Sequence, residues 1–396
     1  MNKTISILII FLLFSNKHLN GLDQTRFDGT LTREILQQWF PGDLIKYDMF
    51  NLAIRQITMI DVLTFNGLYN LNELWFSNNK LSFIKPGTFN TLGNLTRLDL
   101  GANQVTMNDS TIFNGLTNLK NLNVGNNRIT NVDANVFGGL GNLQVLTLST
   151  NSIKSIDSLS FRNLSKLQEL GLYRNQLVKL NNLTFFGLSN LTKLYLSDNS
   201  INITDYLAFS GLYSLKELDL ARNGLISMGS NLFQDLSNLE YLNVNSNKLT
   251  SVPNGLNKLS KLKTLFLGSN KITSLNSDNF AGLNSLEKLY LNDNLIKNMD
   301  ISTFKNLNSL QLLNLYGNLI ESVESTLLNS LTNLTYLSLS FNSITSVSSQ
   351  FLTFIDSICL TYFNFNDAYN CVMSVNTSPV DDKNCFRFNS TTCKVV

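Results

Sequence analysis

The sequence predicts an α/β horseshoe: a right-handed solenoid whose short parallel strands form one sheet on the concave face. Three periodic features carry that prediction. Leu71, Leu74, Phe76, Asn79 and Leu81 spell L-x-x-L-x-L-x-x-N-x-L, and the pattern restarts at Leu95, Leu119, Leu143, Leu167, Leu191, Leu215, Leu239, Leu262, Leu286, Leu310 and Leu334. Every step is 24 residues except that from Leu239 to Leu262, which is 23. Each unit holds an asparagine at the same place, from Asn79, Asn103, Asn127, Asn151, Asn175 and Asn199 to Asn223, Asn247, Asn270, Asn294, Asn318 and Asn342. A phenylalanine recurs at the same spacing from Phe65 and Phe89 to Phe209 and Phe233, then at Phe280 and Phe304, each followed three residues later by Leu. Self-similarity at such a period marks stacked units that bury one face on the next.

The amino-terminal element is an expected leader, residues 1–21. Lys3 gives it a positive start and Ile5 to Phe14 is apolar but for Ser6. About ten apolar residues is the length of a secretory signal and roughly half a membrane span. Cleavage after Gly21 fits best, with a cut nearer Ser15 left open. No later stretch reaches membrane length, and the Cys393 end has no hydrophobic tail, so the expectation is a secreted chain without a membrane or lipid anchor.

Residues 22–46 are expected to cap the first repeat. Leu31, Ile35, Leu36 and Trp39 make an amphipathic run suited to lying across it. Counting back 24 from Leu71 exposes a cryptic unit with Tyr47, Phe50, Leu52 and Ile57, in which Arg55 replaces the asparagine. The repeats then run over 47–366, about 14 with the degenerate terminal ones.

Within each unit the x-Leu-x-Leu stretch alternates with period two, as a half-buried strand must. Its leucines point inward and form stripes. A buried asparagine is tolerable only when its amide is fully hydrogen-bonded. The recurring ones are therefore read as a structural ladder bonding the backbone of their own and neighbouring loops. Leu256 and Leu328 stand where the phenylalanine period expects Phe, read as local changes with core packing kept.

Twelve such motifs in phase resemble the leucine-rich repeat family, in its extracellular 24-residue form, as in Toll-like receptor and Slit-type ectodomains. The resemblance implies a phenylalanine spine on the outer side of the solenoid and partner binding on the concave face. It also implies that Asn366 to Cys371 opens a cysteine-containing cap over 367–396. In Toll-like receptors, Slit and the small leucine-rich proteoglycans a cysteine cluster usually covers the amino end, whereas this chain has no cysteine before Cys359. Cys359, Cys371, Cys385 and Cys393 are an even set, so a secreted chain is expected to hold two disulfides, with three connectivities open.

Composition narrows the function. Four prolines, 15% charge and 43% hydrophobic residues describe an ordered chain. Of 30 basic and 28 acidic residues, Lys3 and Lys17 fall in the leader, leaving 28 against 28. That balance argues against non-specific nucleic-acid binding. The single histidine, His18, also falls in the leader. Without it neither Ser-His-Asp nor Cys-His catalysis nor an imidazole metal site is available. No catalytic residues, metal or cofactor are expected.

Nine Asn-x-Ser/Thr acceptors stand at Asn94, Asn108, Asn163, Asn182, Asn190, Asn202, Asn333, Asn376 and Asn389, none of them a ladder asparagine. Reading out the exposed concave positions gives Arg97, Asp99, Asn121 and Asn123 in the first half. The second half is aromatic: Tyr173, Tyr195, Tyr241, Phe266, Tyr290, Tyr316, Tyr336 and Phe341, with charges at Arg174, Lys193, Asp198, Glu217, Asp219 and Arg222. Aromatics on an open face suit a contact surface, though cross-strand packing gives the same pattern. The expectation is a secreted, non-enzymatic module binding a protein or microbial ligand there. An accessory subunit or inhibitor of a secreted enzyme is the alternative, and an extracellular-matrix component the second.

Overall fold

The computed structural model describes residues 27–347 without a break and, beyond them, only Phe351, 354–355, 357–358, Leu360, 362–364, 369–370, 373–375, 386–388 and 394–395. The expected leader, the four cysteines and the acceptors Asn376 and Asn389 lie outside the described residues. The chain divides into two compact units, one ending at Arg128 and one beginning at Ile129.

The first unit opens with the strand Thr30–Leu31, parallel to Met59–Ile60, and the helix Arg33–Trp39. Thr32 caps that helix, its hydroxyl accepting from the Ile35 N–H at 3.4 Å. Leu31 and Leu36 are fully buried, and Arg33 Nη1 donates to the Thr64 and Asn66 carbonyls at 3.1 and 3.2 Å. The helix is thereby held on the first repeat, as its apolar spacing predicts. The cryptic unit is real. Its strand Met49–Asn51 pairs with Glu73–Trp75, which pairs with Arg97–Asp99 and that with Asn121–Asn123, all parallel and in register. Arg55 does not act as a ladder residue, since its guanidinium lies 4.7 Å from the Trp39 ring centroid.

The second unit carries ten sheet strands: Val145–Thr147, Glu169–Gly171, Lys193–Tyr195, Glu217–Asp219, Tyr241–Asn243, Thr264–Phe266, Lys288–Tyr290, Leu312–Asn314, Tyr336–Ser338 and Tyr362–Asn364. Pairing without slip sets the central leucines side by side, Leu170 against Leu194, Leu218 against Leu242 and Leu265 against Leu289. Each of these is fully buried. Residues on either side of each leucine face the open side of the sheet, because side chains alternate along a strand.

The return limbs contain little helix. Among the described residues they are turns and two-residue parallel pairs, such as Asn131–Val132 with Ser155–Ile156 and Ser274–Leu275 with Asn298–Met299. The phenylalanines are interior. Phe137, Phe161, Phe185 and Phe209 stack at 6.2, 6.4 and 6.0 Å with nearly parallel rings, and each is essentially inaccessible. In the 23-residue unit a tight turn, Leu256–Lys258, takes the place of the phenylalanine turn, led by Gly255 at φ 83°. A Cβ there would stand 2.2 Å from the Ser230 carbonyl oxygen, so only glycine fits. Leu256 and Leu328 are both buried and keep the core filled.

The asparagine ladder has one geometry throughout. In the rung at Asn199, Oδ1 accepts from the Leu177 N–H at 3.0 Å, and Nδ2 donates to the Leu172 and Leu196 carbonyls, both at 3.0 Å. Each rung therefore ties its own turn to the previous repeat. At the short repeat the rung survives, with Asn270 binding the Leu249 N–H and the Val244 and Leu267 carbonyls.

Candidate functional site

The open sheet face of the second unit is built from two rows. One runs Val145, Glu169, Lys193, Glu217, Tyr241, Thr264, Lys288, Leu312 and Tyr336. The other runs Thr147, Gly171, Tyr195, Asp219, Asn243, Phe266, Tyr290, Asn314 and Ser338. The eight aromatics expected on this face do not form one patch. Tyr241, Phe266 and Tyr290 come together on three successive strands, with centroids 5.4 and 4.3 Å apart and the last two rings inclined by only 8°. Phe266 and Tyr290 therefore stack face to face, while Tyr241 meets Phe266 at a tilt of 53°. Tyr316 and Phe341, from the turns that follow their strands, form a second pair at 4.9 Å. Tyr195 stands apart, and Tyr173 lies just beyond its strand, 39% exposed. Tyr336 shares a row with Tyr241 but sits three strands from the Tyr290 strand's neighbour Thr264.

Phe341 occupies the turn position preceding the ladder asparagine, where the backbone is left-handed in repeat after repeat: Asn126, Thr150, Asp198, Ser246 and Gly317 share it. At φ 57° and 63% exposed, Phe341 is a bulky ring in a conformation that disfavours one.

Charge concentrates around Tyr195. Its hydroxyl donates to Glu217 Oε2 at 3.1 Å, and Lys193 Nζ lies 3.7 Å from Glu217 Oε1. Burial, then the carboxylate of Glu217, with Glu169 and Asp219 adding to it, pushes the Tyr195 phenol far above its ordinary value. Burial and Asp219 raise Tyr241 in the same sense, and burial alone raises Tyr290. At the turn ends Arg222 grips Asp198, Nη2 to Oδ2 at 2.6 Å, which lowers the Asp198 carboxyl.

The first unit's face holds a residue that the count of second-half aromatics passed over. Trp75 stands beside Asp99 in register, its Nε1 donates to Glu73 Oε2 at 3.0 Å, and the Arg97 guanidinium lies 5.3 Å from its ring centroid. The signal was present in the sequence, a tryptophan between the inward-facing Leu74 and Phe76 of the first full motif. Asp99 is raised, chiefly by burial, although Gly101 N–H and Asn123 Nδ2 both donate to its Oδ1 at 2.8 Å.

Of the described acceptor asparagines, Asn94, Asn108, Asn163, Asn190, Asn202 and Asn333 are exposed and Asn182 is half-buried. None lies in the strand rows. Asn94, Asn190 and Asn333 also belong to an outer ladder, donating Nδ2 to the Tyr69, Ser165 and Asn308 carbonyls at 2.8, 2.7 and 2.7 Å. Asn118 and Asn238, which are not acceptors, make the same bond to Gly93 and Tyr213. The same repeat position thus serves packing whether or not it is an acceptor.

Among the described residues no cluster of His, Cys, Asp and Glu is arranged to hold a metal, and no helix is long and apolar enough to cross a membrane. A ladder-tied solenoid with one open, side-chain-rich sheet face is a scaffold for binding. The leucine-rich repeat pattern matches residues 49–105, 117–177, 165–225, 213–267, 237–296 and 285–344, so the chain belongs to the leucine-rich repeat family. No curated protein matches it.

Solved structures agree. TLR13, in its complex with ssRNA13, superposes with a TM-score of 0.73 at 30% identity over 85% of this chain and 49% of that one. The chain thus spans about half the length of that receptor. The Leptospira interrogans protein LIC12759 gives 0.70 at 27% identity, covering 85% and 82% of the two chains. Toll from the Drosophila Toll–Spatzle complex gives 0.66 at 21% identity, covering 85% and 53%, a likeness of fold alone. The exclusion of nucleic acid drawn from net charge finds no support here, since one of these neighbours is a complex with RNA.

Proposed function

We propose that this chain is a secreted, non-enzymatic recognition module whose open sheet face binds a protein ligand. The observation that carries the reading is the Tyr241–Phe266–Tyr290 stack, three half-buried rings on adjacent strands. Aromatic side chains give large contact area at low entropic cost and dominate binding hot spots. Family membership supports a binding role, and the apolar leader supports secretion.

The test is recovery of the native complex from secretions, followed by affinity measurements on Phe266→Ala and Tyr290→Ala. Either variant is expected to lose about 2 kcal/mol or more of binding, with a smaller change in thermal unfolding because the rings lie outside the leucine core. Normal binding by both variants overturns the reading. A secreted enzyme as the stoichiometric partner would make the chain an accessory subunit or inhibitor.

Single-stranded RNA is a second reading, favoured by the TLR13–ssRNA13 complex. Bases stack on aromatic rings, but Glu217 and Asp219, on the strand next to Tyr241, place negative charge beside the stack on this face. Fluorescence anisotropy with a labelled single-stranded RNA separates the two: salt-sensitive binding lost in Tyr290→Ala would favour RNA.

A further inference from the structure

The asparagines of the repeats divide by how their amide hydrogens are used. A side-chain amide has two N–H donors, and an N-linked sugar takes the place of one hydrogen. In the core ladder both are engaged, Asn199 Nδ2 donating to the Leu172 and Leu196 carbonyls. A sugar there would break a bond inside the turn, and no core-ladder asparagine begins an Asn-x-Ser/Thr motif. Four motif asparagines engage one hydrogen only. Asn94, Asn163, Asn190 and Asn333 each donate Nδ2 to a single carbonyl 25 residues earlier, at 2.8, 3.1, 2.7 and 2.7 Å. All four residues are exposed, so the second hydrogen is left to solvent.

The rest of each motif is committed to the fold. Leu95, Leu164, Leu191 and Leu334 are buried core leucines. Thr192 Oγ1 donates to the Gln168 carbonyl at 2.9 Å, and Thr96 Oγ1 to Asn72 Oδ1 at 2.6 Å. A closed repeat therefore does not offer its motif to a glycosyl transferase, and the sugar is added while the chain is still open. The repeat then closes around an asparagine that already carries its sugar. One unengaged hydrogen per amide lets it do so with the bond to the preceding repeat intact.

We propose that Asn94, Asn163, Asn190 and Asn333 carry N-linked glycans whose linking amides still hold the preceding repeat, so that the sugar-bearing nitrogen is also a packing donor. In the transfer, Nδ2 bonds to the anomeric carbon of an oligosaccharide delivered on a lipid diphosphate. The lipid diphosphate leaves and one Nδ2 proton is lost to a base. The remaining N–H keeps its carbonyl. The inference rests on the chain being secreted, and assigns which modified side chains also stabilise the solenoid. Asn202, an exposed motif asparagine that makes no such carbonyl bond, is the internal comparison.

The test uses the full chain secreted from cultured animal cells that make only oligomannose glycans. Glycopeptide mass spectrometry reads each site, and occupancy is expected at all four. An endoglycosidase then trims every glycan to one N-acetylglucosamine and leaves the linking amide in place. Thermal unfolding of the trimmed chain is compared with that of trimmed Asn190→Ala and Asn202→Ala, each of which lacks one sugar. Asn190→Ala, which lacks the carbonyl bond as well, is expected to unfold about 2 °C or more below the parent chain, and Asn202→Ala at the parent midpoint. Equal midpoints for Asn190→Ala and the parent would mean that sugar and bond exclude one another, and overturn the proposal. Bare asparagines at the four sites in secreted material overturn it too. Failure of the secretion reading looks different: the chain stays inside the cells, with Asn202 bare as well.

Discussion

Single residues show how little freedom the repeat leaves. Asn199 satisfies one N–H and two carbonyls inside the turn, so Asn199→Ala should cost on the order of 1–3 kcal/mol. Asn202→Ala, three residues on and exposed, should alter glycan mass and little else. Equal unfolding midpoints for wild type and Asn199→Ala would remove the ladder from the account. Tyr195 gives a pH signature. Its phenol is raised in the folded chain, so the native state holds that proton after the unfolded chain begins to lose it. The associated stability is fully present below the ordinary tyrosine value of about 10 and is lost as pH climbs above it. Thermal unfolding followed from about pH 9 to pH 11 should therefore decline more steeply for wild type than for Tyr195→Phe. Parallel declines would mean that burial and Glu217 do not raise the Tyr195 phenol in solution.

Elements differ in how tightly their turns are specified. The turn before each ladder asparagine is left-handed, and five of the twelve repeats place there an Asn, Asp or Gly that tolerates it, namely Asn78, Asn126, Asp198, Asp293 and Gly317. Phe341 does not. Phe341→Gly should raise stability by about 1 kcal/mol, read by chemical denaturation, as backbone strain is relieved. Loss of stability instead would show that the contact with Tyr316 outweighs the strain. If the pair belongs to the ligand surface, the same variant should bind less well while folding better. Gly255 is the opposite case: Gly255→Ala drives a Cβ into the Ser230 carbonyl and should destabilise the short repeat. The strand-row aromatics obey a different rule, since neither core packing nor turn geometry demands them.

For the molecule as a whole, stability in a solenoid is a sum over units and the interfaces between neighbours. Removal of residues 191–214, one complete period, should join the Leu167 and Leu215 motifs in phase and leave a cooperative unfolding transition. Removal of residues 191–202, half a period, should abolish it, because the leucine and asparagine stripes then fall out of step. Circular dichroism during heating checks both, and survival of the half-period deletion would contradict nearest-neighbour stacking. The proposed secretion predicts two disulfides among Cys359, Cys371, Cys385 and Cys393, counted by intact mass with and without reduction. Four free thiols in freshly secreted material would count against both the cap and the compartment.

The sequence by itself determined the solenoid, the inward leucines, the ladder and even the cryptic unit around Phe50, because each repeats one local interaction at a fixed spacing. Period-two alternation says which side of the sheet a strand residue occupies, so the strand rows were legible too, whereas Tyr173, Tyr316 and Phe341 fall in the turns beyond them. It does not say which way a side chain leans once there. Only the tertiary structure decided that Tyr241, Phe266 and Tyr290 stack while Tyr195 turns to Glu217, that Arg97 covers Trp75, and that Asn94, Asn190 and Asn333 bond an outer ladder. It alone revealed that Ser149 Oγ packs, without a hydrogen-bond partner, where a side chain on residue 171 would project. These depend on partners 22 to 25 residues apart whose rotamers are chosen by packing across strands, and a one-dimensional period carries no record of that choice.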